Sequence, residues 1–207
     1  MNKYQRLNKK FYSQNTFKLA TALLGKYLVR KIGNQILIGK IVETEAYYGP
    51  NDKASHASRG KTERTKLMFD HPGLAYIYQI YGMYFCLNIV TEAKDFPAAI
   101  LIRALEPIEG IKQMQKNRKL KASAFILRPS ALTNGPSKLC QALKIDKKLN
   151  GENLITSKVL YLTANPKEKI QPTQMQSAKR IGIDYAKSYK HKPWRYYLKS
   201  NPFISKK

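Results

Sequence analysis

The run Lys40-Ile41-Val42-Glu43-Thr44-Glu45-Ala46-Tyr47 leads directly to the turn signal Gly49-Pro50-Asn51-Asp52, and no other stretch constrains the chain as much. An extended segment alternates its side chains between two faces, so a strand here places Glu43, Glu45 and Tyr47 together on one side. After the sharp turn, Ala54-Ser55-His56 brings an imidazole back toward the strand end. A second ribbon, Tyr76-Ile77-Tyr78 and then Tyr81-Gly82-Met83-Tyr84, supplies flat rings near Asn88. Carboxylate, imidazole and aromatic faces are the side chains that a pocket for a planar heterocycle needs. Each alone has a plainer explanation: a sheet face for the tyrosines, a surface role for the histidine, a salt bridge for the acids. Their joint occurrence within a short stretch favours the pocket.

The flanking chain supports this centre. Residues 1–15 are expected to form a mobile or lightly attached basic arm, followed by one domain over 16–207. A helix is predicted from the cap Asn15-Thr16 through Leu24, closed by Gly25. Tyr27–Val29 and Ile36–Ile38 flank Gly33-Asn34 as a hairpin that feeds the key strand. Ala98–Leu105 reads as a buried strand ended by Glu106-Pro107, and Arg103 within it requires a carboxylate, with Glu43 and Glu45 as candidates. Glu109–Leu120 reads as an exposed basic helix. Asn134-Gly135-Pro136-Ser137-Lys138 opens a short helix whose start, with Lys138, suits a phosphate. Val159–Leu162 is predicted as a strand, Asn165–Ser177 as a loop, and Arg180–Ile183 and Trp194–Leu198 as late strand-like pieces. Strands outnumber helices without βαβ alternation, so the predicted class is α+β: one compact domain with a largely antiparallel, curved sheet and surrounding helices.

With 38 Lys and Arg against 13 Asp and Glu in 207 residues, the net charge of +25 predicts attraction to polyanions, nucleic acid before an anionic membrane surface. Cys86 and Cys140, and His56, His71 and His191, show no metal-ligand spacing, so no metal and no cofactor are expected. The polar N-terminal stretch lacks the apolar segment of a signal peptide or membrane span. That favours the cytoplasm in a cell without a nucleus, at the nucleoid if the source is a bacterium, or the nucleus otherwise, and a monomer is the natural expectation.

A collinear set of segments carries a family resemblance: LLGKYLVR at 23–30, VETEAYYGPNDKASHA at 42–57, MFDHPG at 68–73, YIYQIYGMYFCLNIV at 76–90, RALEP at 103–107, NGPSKLCQAL at 134–143 and RIGI at 180–183. Together they resemble the alkyladenine (3-methyladenine) DNA glycosylase family from about residue 16 onward. Thr65 and the pair Asp70-His71 depart from the family's usual pattern in loops. The resemblance implies a domain that flips alkylated or deaminated purines out of damaged double-stranded DNA and hydrolyses the N-glycosidic bond. It implies that Glu45 binds and activates the attacking water, with Arg103 and the carbonyl of Ile181 helping to hold it. Tyr47 and His56 would flank the flipped base, Tyr78 would complete the aromatic wall, and Asn88 would test the purine edge. Tyr81 would be the wedge that enters the duplex.

Elementary chemistry agrees. Breaking a purine–deoxyribose bond builds positive charge on the sugar, which a carboxylate beside C1′ both stabilises and supplies with oriented water. No lysine in the key stretch sits in the apolar setting that a Schiff-base nucleophile needs, so a monofunctional glycosylase is expected rather than a lyase. The alternative is a non-enzymatic basic binder of nucleic acid, in which the tyrosines stack bases and the acids are structural.

Overall fold

The computed structural model describes residues 4–120 and 129–206. Among them, nine strands form one sheet: β1 (Gln5–Arg6), β2 (Tyr27–Ile32), β3 (Gln35–Tyr48), β4 (Ala75–Ile80), β5 (Tyr84–Val90), β6 (Ala98–Glu109), β7 (Leu160–Ala164), β8 (Met175–Ala178) and β9 (Arg195–Leu198). Helices α1 (Lys9–Tyr12), α2 (Thr16–Ala22), α3 (Ile111–Asn117) and α4 (Pro136–Ala142) surround it, with short 3-10 turns between. The strand order is β1-β7-β2-β3-β6-β5-β4, β9 joins β3 and β8, and every pairing is antiparallel. This is the expected α+β domain.

β3 organises the sheet. One edge pairs with β2 through Lys40 and then with β9 from Glu43 to Glu45, while the other edge pairs with β6. The β3–β6 register slips between Ile41 and Glu43 and again between Glu43 and Thr44. Such irregularities bend a strand and re-aim its side chains, so the two acids sit where the ladder changes partner. Below them the core is apolar: Ile41, Val42, Ile100, Ile102 and Leu105 are wholly buried. Each such side chain contributes about 1.5–3 kcal/mol on leaving water, which stabilises the β3–β6 pairing that carries the charged residues.

α2 begins as expected: the Asn15 side chain accepts a hydrogen bond from the Phe17 N–H at 3.0 Å. It packs on β3, where the Thr44 hydroxyl donates to the Ala20 carbonyl at 3.0 Å. Its end is followed by Gly25 at φ +80.

Several expectations are corrected. Gln5 and Arg6 pair with Ala164 and Thr163, and Tyr12 is wholly buried, so residues 5–12 dock on the domain rather than trail from it; residues 1–3 lie outside the described part. β6 continues past Glu106-Pro107 to Glu109, because Pro107 faces Gly39 at a register irregularity where its missing N–H breaks no regular ladder. The basic helix accordingly starts later, after Gly110 at φ +76, and Met114 is wholly buried on its inner side. Within the predicted loop, Met175–Ala178 forms β8 against β9. Arg180–Ile183 is no strand: Gly182 takes φ +75 and the Arg180 side chain is drawn inward to Asp52.

Candidate functional site

Glu45 is wholly buried, and three donors converge on it. The Ile181 N–H donates to Oε1 at 2.8 Å, the Tyr47 hydroxyl donates to Oε2 at 2.9 Å, and Arg103 Nη1 lies 3.2 Å from Oε2. Strand alternation supplies Tyr47 from β3, β6 supplies Arg103 opposite, and the loop after β8 supplies Ile181. Burial pushes the Glu45 carboxyl above its ordinary value, while Arg103, the Ile181 N–H and the Tyr47 hydroxyl pull the other way. An ionised carboxylate offers about four acceptor directions; these three donors leave room for one more. The resemblance assigns the Ile181 carbonyl to the attacking water; toward Glu45 the same residue offers its N–H.

Tyr47, Arg103 and Ile181 also line a cavity of about 340 Å³, shared with His56, Tyr76, Tyr78, Asn88 and Tyr81. That volume lies within the range of small-ligand clefts. Glu45 itself stands behind this lining, screened by its own donors. The His56 ring meets Tyr78 edge-on at 4.4 Å between centroids, and its Nδ1 is 3.1 Å from the Tyr76 hydroxyl. Burial, with Arg64 and Arg59 nearby, lowers the imidazole to about 4, so it is neutral at ordinary pH. The Asn88 Nδ2 donates to the Tyr76 carbonyl at 3.0 Å, which fixes the amide plane against the cavity wall. Cys86, also in the wall, has its thiol pushed up by burial.

At the rim stands Tyr81, 85% exposed, at the tip of the β4–β5 hairpin. Tyr81 (φ 49) and Gly82 (φ 69) both occupy the left-handed region, while the Met83 N–H returns to the Ile80 carbonyl at 3.2 Å. Two central residues at positive φ define the tight turn that suits a hairpin's twist. A tyrosine held there is strained, and strain of this kind gathers at functional positions. Lys138 in α4 is partly buried, its ammonium donating to Asn134 Oδ1 at 2.7 Å. Burial, with Arg118 nearby, lowers its pKa. Among the described residues no three His, Cys, Asp or Glu side chains gather as a metal site would require, and no helix is long and apolar enough to cross a membrane.

The methylpurine-DNA glycosylase (MPG) family model matches residues 10–202, nearly the whole chain. The chain belongs to this family. Relatives from Clostridium perfringens strain SM101 (49% identical over 205 residues, 98% of this chain and 100% of the relative), Natranaerobius thermophilus (45% over 201 residues, 97% and 98%) and Methanocella arvoryzae (46% over 206 residues, 97% and 96%) each carry the name "Putative 3-methyladenine DNA glycosylase". Membership of the methylpurine-DNA glycosylase family makes the chain a hydrolase acting on N-glycosyl bonds.

Two features of the residues around the cavity leave no mark in the sequence pattern. The first is a wholly buried ion pair, in which Arg180 Nη1 and Nη2 donate to Asp52 at 2.6 and 2.8 Å and Nη1 also donates to the Ala46 carbonyl at 2.9 Å. Its guanidinium lies over two aromatic rings, 4.8 Å from the Tyr47 centroid and 5.0 Å from that of Trp194. The second is the network around Glu43, which accepts from Arg195 Nη1 at 2.9 Å and from the Ser205 N–H at 2.6 Å. Arg103 therefore faces two carboxylates, with Nε 3.5 Å from Glu43 Oε1. A residue pattern that pairs an arginine with a distant acid leaves no local signal in a sequence. Arg103 itself was findable, because an arginine inside an apolar strand demands a counter-charge.

Proposed function

We propose that the chain excises alkylated or deaminated purines from double-stranded DNA by flipping the nucleotide into the cavity and hydrolysing its N-glycosidic bond. The observation that carries this reading is Glu45: a buried carboxylate set behind a nucleobase-sized cavity, with each of its three donors also lining that cavity. A structural ion pair has no need of a cavity, and a stacking surface has no need of a buried acid. Family membership supports the same chemistry.

In this reading Tyr47 and His56 bracket the flipped base and Tyr78 closes the wall. Neutral His56 adds no positive charge against a cationic alkylpurine, and the aromatic faces attract one. Asn88 reads the purine edge. Glu45 orients water toward C1′; the C1′–N bond breaks, its electron pair leaves with the base, and the water's oxygen bonds to C1′ as its proton passes to the carboxylate. Arg103 and the Ile181 backbone hold the carboxylate in place, and no lysine adduct is formed. The product is an abasic site. Extrusion costs a few kcal/mol of lost stacking, least for damaged bases, and Tyr81 offsets part of it by filling the gap. Lys138 exchanges Asn134 for a DNA phosphate, and the general lysine excess supplies further phosphate contacts. The enzyme acts as a monomer in the cytoplasm, at the nucleoid in a bacterium.

The test is single-turnover base release from duplexes carrying 3-methyladenine, 7-methylguanine, hypoxanthine or ethenoadenine, with Glu45→Gln as control. The parent is expected to release at least one base and the variant to be roughly 10²–10⁴-fold slower, with DNA binding retained. Salt-sensitive binding without any abasic product would replace the enzyme by a nucleic-acid binder.

A further inference from the structure

The family match ends at residue 202, yet the next four residues reach the charged centre of the site. Asn201 ties the segment to β6 through Glu106 Oε2 at 2.9 Å, and Ile204 is buried in the main core. Ser205 then bridges two charged groups. Its hydroxyl accepts from Arg103 Nε at 3.3 Å and donates to Glu43 Oε1 at 2.9 Å, and its N–H donates to Glu43 Oε2 at 2.6 Å. The Lys206 carbonyl accepts from Arg195 Nη1 at 2.8 Å, alongside that nitrogen's bond to Glu43.

Resting on the reading of Glu45 as the acid, we propose that Ser205, carried by the segment Phe203–Lys206, is a positioning residue for base release. Arg103 is the only described arginine that meets both buried carboxylates, Glu43 through Nε and Glu45 through Nη1. A planar guanidinium cannot turn one edge without moving the other. Ser205 satisfies Glu43 and accepts the Arg103 Nε–H at once, which leaves the Nη1 edge committed to Glu45. Without the hydroxyl, Glu43 loses one donor and Arg103 Nε loses its acceptor, so the guanidinium shifts toward Glu43 and away from Glu45. Ser205 is not part of the cavity lining; it acts through Arg103.

The consequence extends to pH. Glu45 is faced by Glu43 and Tyr47 from its own strand, Arg103 from β6, Tyr78 from β4 and Cys86 from β5. Arg103 is the nearest opposing charge among them, so its withdrawal leaves burial less opposed and raises the pH at which Glu45 ionises.

The experiment compares the parent, Ser205→Ala, Ser205→Thr and a chain stopped after Pro202. Single-turnover release is measured across pH on 7-methylguanine duplex, with the active fraction titrated and affinity read on a duplex carrying a reduced abasic analogue. For Ser205→Ala the expected result is a rate per active molecule about 10-fold lower, within the 10²-fold that an ångström of misplacement costs. Its acid limb moves to higher pH and its affinity stays within about 2-fold of the parent's, a small change on the scale where tenfold is 1.4 kcal/mol. Ser205→Thr, which keeps the hydroxyl, recovers most of the rate, and the shortened chain is slower than Ser205→Ala. A Ser205→Ala rate and acid limb equal to the parent's would overturn the proposal. So would a loss confined to the active fraction, which marks a folding role alone. Absence of release by the parent on every lesion would instead remove the reading of Glu45, and this inference with it.

Discussion

Arg180 places its guanidinium 4.8 Å from the centroid of the Tyr47 ring while both of its terminal nitrogens grip Asp52. The pair ties the turn after β3 to the loop that carries Ile181, so it holds two of the walls on which Glu45 depends. Both side chains have no exposure to water.

The first prediction follows from that burial. Asp52→Ala strands a buried guanidinium, which costs about 3–5 kcal/mol and lowers the melting midpoint by on the order of 10 °C for a chain of this size. A thermal melt followed by circular dichroism measures it. An unchanged midpoint would show that water or a backbone carbonyl replaces the aspartate without cost, and that the clamp is dispensable.

The pH dependence has a definite sign. Burial raises the Glu45 carboxyl above its ordinary 4.5, so as pH falls through that raised value the acid takes up a proton. It then loses both its charge and its capacity to accept one from water. Base release therefore declines on the acid side. On 7-methylguanine, whose leaving base already carries positive charge, a single acid limb is expected. His56, with its pKa lowered to about 4, titrates below the raised Glu45 carboxyl, so His56→Gln is expected to slow release without moving the midpoint of the limb. A limb that moves with His56 would transfer the titration to the imidazole.

How much of this was legible in the sequence depends on the distance over which each signal acts. Period-two alternation placed Glu43, Glu45 and Tyr47 on one face, and the cost of burying Arg103 pointed to those acids before any geometry was known. The Gly33-Asn34 hairpin and the Asn15 cap were legible for the same reason, since turn and cap chemistry is local. Arg180 and Asp52, 128 residues apart, were not: Asp52 reads as a turn residue and Arg180 as part of a strand. Pro107 misled because a proline usually ends a ladder, whereas here it falls on an irregular pair with Gly39. Ser205 lay hidden in what reads as a basic tail.

Charge and chemistry should separate in salt. The net charge of +25 acts through phosphates, while Glu45 and Arg103 are buried and little screened. With six or more phosphate contacts, affinity for undamaged duplex falls by roughly 10³-fold or more between 50 and 200 mM salt. The single-turnover rate at saturating enzyme stays nearly constant over the same range. Fluorescence anisotropy gives the first quantity and quenched-flow the second. A rate that falls in step with affinity would place an exposed charge in the chemical step.

The rim gives the last prediction. Tyr81 is 85% exposed, at positive φ, on a turn whose tip bears no other wholly aromatic side chain between Ile80 and Tyr84. Exposing a phenol ring there is unfavourable in the free protein, and the cost is recovered only when the ring finds a stacking surface. An aromatic stacked on a base contributes about 1–3 kcal/mol, so Tyr81→Ala should lose that much affinity for a duplex holding an extruded lesion. Binding to undamaged duplex, dominated by lysine–phosphate contacts, changes little. Tyr81→Phe keeps the ring and should keep the affinity, since the hydroxyl is not needed to fill the gap. Titrations of lesion-bearing and undamaged duplexes of one sequence decide the matter: equal losses on both would make Tyr81 a general surface contact, and a loss confined to the lesion would make it the wedge.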